Sequence, residues 1–145
     1  MISAKQLQEI SGFSFVPTKE YDPRIVGRAV KDSDEAYLYI ENGAPRLQTY
    51  ATLAHELTHI WQFDHLQVDL MSIEEIEGHA SWIEIHFMEY LGAYEEADTL
   101  RQELLERADE YGLGYQMILQ KMESTNEAYS PFDLYGKRES VQMSW

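Results

Sequence analysis

Residues 52–62 read TLAHELTHIWQ, with His55 and His59 four apart and Glu56 directly after the first. On an α-helix this spacing points two imidazoles to one side, where they can share a metal ion, and sets a carboxylate beside the coordination position left for water. A glutamate in that place can take a proton from metal-activated water and pass it to a leaving amine, which is the chemistry of zinc-dependent peptide hydrolysis with Glu56 as general base. The chain has no cysteine, so thiolate ligands and disulfides are excluded and any metal must be held by His, Asp or Glu.

Two residues compete for the place of third ligand. His65 would complete the metzincin pattern H-E-x-x-H-x-x-G-x-x-H, and Met71 is available for a Met-turn, but the glycine of that pattern is Gln62 here. That glycine lets the chain leave its helix at positive φ, a conformation costing another residue roughly 1 kcal/mol or more. Glu77 follows His59 after a gap long enough for a turn and an antiparallel return helix. Helical phase turns Glu75 away and sets Glu74 off to one side, so Glu77 is the expected third ligand and Zn2+ the expected cofactor.

The elements that must position these residues follow from pattern. RIVGRAV and EAYLYIE alternate like strands, are joined by the polar turn KDSD and closed by Asn42-Gly43, and predict a hairpin. EAYLYIE is expected along the cleft, where a substrate peptide could add as a further strand. A helix is predicted from near Pro45 to Phe63, with Gln48, Ala51, His55, His59 and Gln62 on one face. Tyr50, Leu53, Leu57, Ile60 and Trp61 lie opposite, and this apolar face is expected to be the buried one.

Ser72 and Glu75 form a capping box opening a helix from Ile73 to about Leu91. Its stripe of Ile73, Glu77, Ala80, Glu84, Phe87 and Leu91 puts two carboxylates where apolar residues are usual, and a carboxylate facing inward needs a cation or a donor. Glu84 is placed to orient a ligating histidine through its free N–H. A third helix is predicted over 93–110 with Ala97, Leu100, Leu104, Leu105 and Ala108 inward, and a fourth after the two glycines of YGLGYQMILQKM. Residues 4–10 predict a short helix, 12–23 a connector, and the last stretch is aromatic and turn-rich.

Residues 1–145 are read as one domain with 128–145 as a tail segment. The net charge of -15 argues against a nucleic-acid partner and fits a basic protein or peptide substrate. There is no basic leader before an apolar run and no window near the ~20 apolar residues of a membrane span. The simplest reading is therefore a cytoplasmic protein without a membrane partner, although leaderless secretion or excision from a larger parent would look the same. No pattern specifies an oligomeric state.

Four ordered motifs carry a resemblance: GAPRLQT at 43–49, TLAHELTH at 52–59, IEGHASWIE at 76–84 and YGLGY at 111–115. HELTHIWQ followed by IEGHASWIE resembles the gluzincin metallopeptidases of aminopeptidase-N type. The full set is more similar to the peptidase domain of the LIM-domain-associated, ubiquitin-activated peptidases of plants and their bacterial relatives. The resemblance implies an α+β minimal gluzincin of zincin-like fold, a small antiparallel sheet over the HExxH helix with a helical lower half. It also implies His55, His59 and Glu77 as zinc ligands and Glu56 as base.

The chain departs from those relatives in having no LIM domain and no ubiquitin-interacting segment, and in carrying Ile76 where they have a glutamate. A hydrolase of this type needs a donor for the oxyanion; Tyr111 and Tyr115 are the expected ones, with Tyr129, Tyr135 and His79 as further candidates. The Gly-x-Met-Glu-Asn element that anchors the substrate amine in gluzincin aminopeptidases is absent, which favours endopeptidase action. The rival readings are a zinc-stabilised, non-catalytic protein-interaction domain, and a latent peptidase whose tail covers the cleft.

Overall fold

The computed structural model describes residues 27–32, 34–40, 45–125 and 130–134. The helix expected at 4–10, the connector at 12–23, the Asn42-Gly43 turn, Tyr129, Tyr135 and most of the tail lie outside them. Strands β1 (Gly27–Asp32) and β2 (Glu35–Ile40) pair antiparallel, Gly27 with Ile40 through Asp32 with Glu35. A two-stranded ribbon is marginal alone, and this one rests on helix α1 (Arg46–His65). Ile40 is buried, and Lys31 of β1 pairs with Asp64 near the helix end. Of the two strands, β1 makes the more extensive contact with α1.

Pro45 precedes α1, and the helix ends where Leu66 turns extended and Val68–Leu70 form a 3-10 turn. Helix α2 (Ile73–Tyr90) opens on Ser72, whose Oγ accepts the Glu75 N–H at 3.1 Å, and closes at Gly92, which takes φ +83 as only glycine does cheaply. Helices α3 (Tyr94–Glu106) and α4 (Glu110–Ser124) follow. Ile85, Met88, Ala97, Leu104 and Tyr115 form the core with Ala51, flanked by Leu100, Tyr111 and Leu119. The coarse α+β architecture is therefore as expected, a small antiparallel sheet against a mostly helical body. Among the described residues no helix is long and apolar enough to cross a membrane.

Three expectations are corrected. The buried face of α1 is the histidine face: Ala51, His55, Glu56, Thr58, His59 and Gln62 are buried, while Leu57 is 50% and Tyr50 42% exposed. Burying that polar face costs little because its groups find partners on α2 and β1.

The third helix stops at Glu106, which leaves Ala108 outside it and exposed, and Leu105, still within the helix, is on its outer side rather than inward. The fourth begins before the two glycines and runs through both. Asp109 opens it by accepting the Gly112 N–H at 3.1 Å, a side-chain cap that offsets part of the cost of helical glycine.

Candidate metal centre

His55 meets Glu84, His59 meets Glu77, and Gln62 meets the Ile76 carbonyl, so α1 and α2 run antiparallel with the site between them. His55, His59 and Glu77 each offer one ligand atom, and these atoms all lie within 4.8 Å of one another, a group that could hold a metal ion. Glu77 Oε2 stands 3.2 Å from His55 Nε2 and 3.4 Å from His59 Nε2. Metal–ligand bonds of about 2.0–2.1 Å at tetrahedral angles separate neighbouring ligand atoms by about 3.3 Å, so these two edges have the size an ion such as zinc requires.

The other nitrogen of each ring is engaged behind the group. His55 Nδ1–H donates to Glu84 Oε2 at 2.9 Å and His59 Nδ1–H to Gln62 Oε1 at 2.8 Å. With both protons on Nδ1, both Nε2 lone pairs turn towards Glu77, and three acceptor atoms converge on one region. Without a metal that convergence needs a proton. Burial opposes charge on His55, but Glu77 and Glu84 outweigh it and hold the imidazole up to about 10. Burial likewise opposes charge on Glu77, and its bonds to His55 and His59 overcome it, taking the carboxyl down to about 2.

Glu56 turns to the sheet, where its Oε2 accepts the Ala29 N–H of β1 at 2.6 Å. Burial raises its carboxyl above the ordinary range, with His55, His59 and the Ala29 amide partly offsetting the shift. An N–H aimed at Glu56 is not spent on β2, so the outer edge of β1 borders the site. This corrects the expectation for EAYLYIE, whose residues 35–40 lie as β2 on the far side of β1, the strand with the more extensive contact to α1.

The two expected tyrosines part company. The Tyr111 ring lies 6.3 Å from that of His55, with the Arg107 guanidinium 5.2 Å over its centre. Burial and the nearby Glu77, Glu110 and Glu56 charges raise its hydroxyl, which therefore keeps its proton and can donate. Tyr115 is only 1% exposed, packed in the core with Ile85 and Leu104 and turned to Arg101, so it is not beside the histidines.

His65 is exposed at the end of α1, stacked on Trp61 and donating through Nδ1 to the Trp61 carbonyl at 2.9 Å, outside the ligand group. His79 is buried behind Gln62, edge-on to Trp61 and Phe132, and burial with the His59 charge lowers it to about 3. Phe132, in the described part of the tail, packs on Trp61 and His79 rather than on Glu56 or Tyr111.

Sequence reasoning missed Gln62, the Ala29 amide and Arg107. Gln62 was visible only as a polar residue on the histidine face. Comparison of the chain with family models, with curated proteins and with solved structures returned no match.

Proposed function

We propose that the chain is a zinc-dependent metallopeptidase of gluzincin type that hydrolyses peptide bonds within protein or peptide chains. The observation that carries this is the convergence of His55 Nε2, His59 Nε2 and Glu77 Oε2, each ring backed through Nδ1, with a buried carboxyl at Glu56 immediately beside them. The donor set of two imidazoles and a carboxylate suits zinc with one position left open. Bound there, zinc would supply Lewis acidity towards a peptide carbonyl and towards water.

The residues of the chain do the rest. Glu56 takes a proton from the attacking water as the new C–O bond forms, and returns it to the amide nitrogen as the C–N bond breaks. Its raised carboxyl suits both halves of that transfer. Ala29 holds Glu56 through its N–H, and the Tyr111 hydroxyl donates to the oxyanion.

Metal content of purified wild type, Glu77→Ala and His65→Ala, each checked for folding by circular dichroism, tests the site. Near-stoichiometric zinc lost in Glu77→Ala and kept in His65→Ala supports it, and the reverse pattern overturns it. A peptide library then tests hydrolysis. Bound zinc with no cleavage, and no effect of Glu56→Gln on partner binding, would favour a non-catalytic interaction domain.

A further inference from the structure

Gln62 is completely buried, and the three side-chain contacts it makes among the described residues bear on the proposed site or its backing. Its Nε2 donates to the Ile76 carbonyl at 3.0 Å and to His79 Nδ1 at 3.2 Å, and its Oε1 faces His59 Nδ1 at 2.8 Å. The Ile76 carbonyl accepts and never donates, so it alone decides which end of the amide is nitrogen. Turning the amide over would set oxygen against the Ile76 oxygen and N–H against the His59 ring. Once the amide is fixed, its oxygen can only accept from His59, and the ring must carry its proton on Nδ1.

We infer that Gln62 is a positioning residue that locks His59 in the tautomer able to bind metal through Nε2, and ties that choice to the backbone just before Glu77. The inference rests on the metallopeptidase reading only for the identity of the bound ion. An unconstrained imidazole favours its proton on Nε2, the form in which Nε2 has no lone pair to give. His55 is corrected by a carboxylate, Glu84, and His59 by a neutral amide whose direction comes from a peptide carbonyl on the other helix. Ile76 O and Glu77 belong to neighbouring residues, so the hydrogen bond that orients one ligand also fixes the start of the helical turn carrying another.

A merely structural role for Gln62 would make the same residue matter for stability alone, and two variants separate the cases. Gln62→Met keeps the volume and removes both acceptor and donor. Gln62→Glu keeps an acceptor for His59 and loses the donors to Ile76 and His79. Zinc affinity by competition with a chelating dye, thermal unfolding of the metal-free proteins, and ¹⁵N–¹H long-range spectra of the His59 ring are the readouts.

Gln62→Met is expected to bind zinc about 10- to 100-fold more weakly. Gln62→Glu is expected to melt earlier than wild type yet bind zinc within a few fold of it, and His59 in wild type to show its proton on Nδ1. Wild-type zinc affinity in Gln62→Met, or a His59 proton on Nε2, overturns the inference. If wild type binds no zinc, the metal reading fails by itself. The tautomer of neutral His59 in the metal-free protein then decides the role of Gln62, Nδ1–H for and Nε2–H against.

Discussion

Gly78 of α2 and Gly114 of α4 pass with their backbones touching: a Cβ on Gly78 would stand 2.1 Å from the Gly114 carbonyl oxygen. A Cβ on Gly114 would stand equally close, 2.1 Å, to the Glu74 oxygen. Such separations are far inside any van der Waals contact, so each position admits no side chain while the helices stay where they are. Glu77 precedes one of these glycines and Tyr111 lies one turn before the other, so the crossing brings a carboxylate and a phenol to the same place.

Gly78→Ala or Gly114→Ala should therefore push α2 and α4 apart. The obstacle is backbone rather than a flexible side chain, so the cost should exceed the roughly 1–3 kcal/mol of ordinary overpacking. Thermal unfolding should show it, and any folded fraction should bind zinc more weakly. A Tm within a degree of wild type would contradict the close crossing.

The same glycines show where reading from sequence stops. The gathering of His55, His59 and Glu77 was legible because helical spacing and a short inter-helix gap are enough to bring them together. The hairpin was legible from alternation. The helix through Gly112 and Gly114 was not, because the letter G marks a breaker and a close approach alike, and only the partner helix distinguishes them. The inward face of α1 was also hidden. Hydrophobicity pointed to Leu57 and Tyr50, whereas hydrogen bonds to Glu84, the Ile76 carbonyl and the Ala29 amide make the polar face the buried one. Which tyrosine stands near His55 depended on that packing too, and Tyr115 went to the core.

Glu56→Gln removes the proposed proton-transfer group while keeping an oxygen for the Ala29 amide. Hydrolysis should fall by about a hundred- to ten-thousand-fold, with zinc stoichiometry and Tm near wild type. Loss of zinc in step with activity would count against a role as base.

The metal-free protein should show a stability optimum in mildly acidic solution. The folded His55 imidazole sits at about 10 against an ordinary 6.5, so its contribution is complete below 6.5 and is lost as pH rises through 10. The Glu77 carboxyl sits at about 2 against 4.5, so its contribution is complete above 4.5 and is lost as pH falls through 2. Both are in full force between 4.5 and 6.5. Zinc must displace the His55 proton, so its affinity should climb about tenfold per pH unit through neutrality. Unfolding and zinc titrations at several pH values in metal-free buffer check both, and a pH-independent affinity would mean His55 binds no proton that zinc competes for.

Tyr111→Phe isolates the phenolic hydroxyl, since the ring, its place near His55 and the Arg107 contact over its face are kept. The hydroxyl holds its proton across the working range because burial and the Glu77, Glu110 and Glu56 charges disfavour the phenolate. A donor of that kind matters most where negative charge develops, at the oxygen of the attacked carbonyl, and less in the bound substrate. Removing it should lower kcat about a hundred- to a thousand-fold, leave KM within a few fold and leave zinc content unchanged. A loss carried in KM instead would make Tyr111 a substrate-binding residue, and full activity would return the donor's role to Tyr129 or Tyr135.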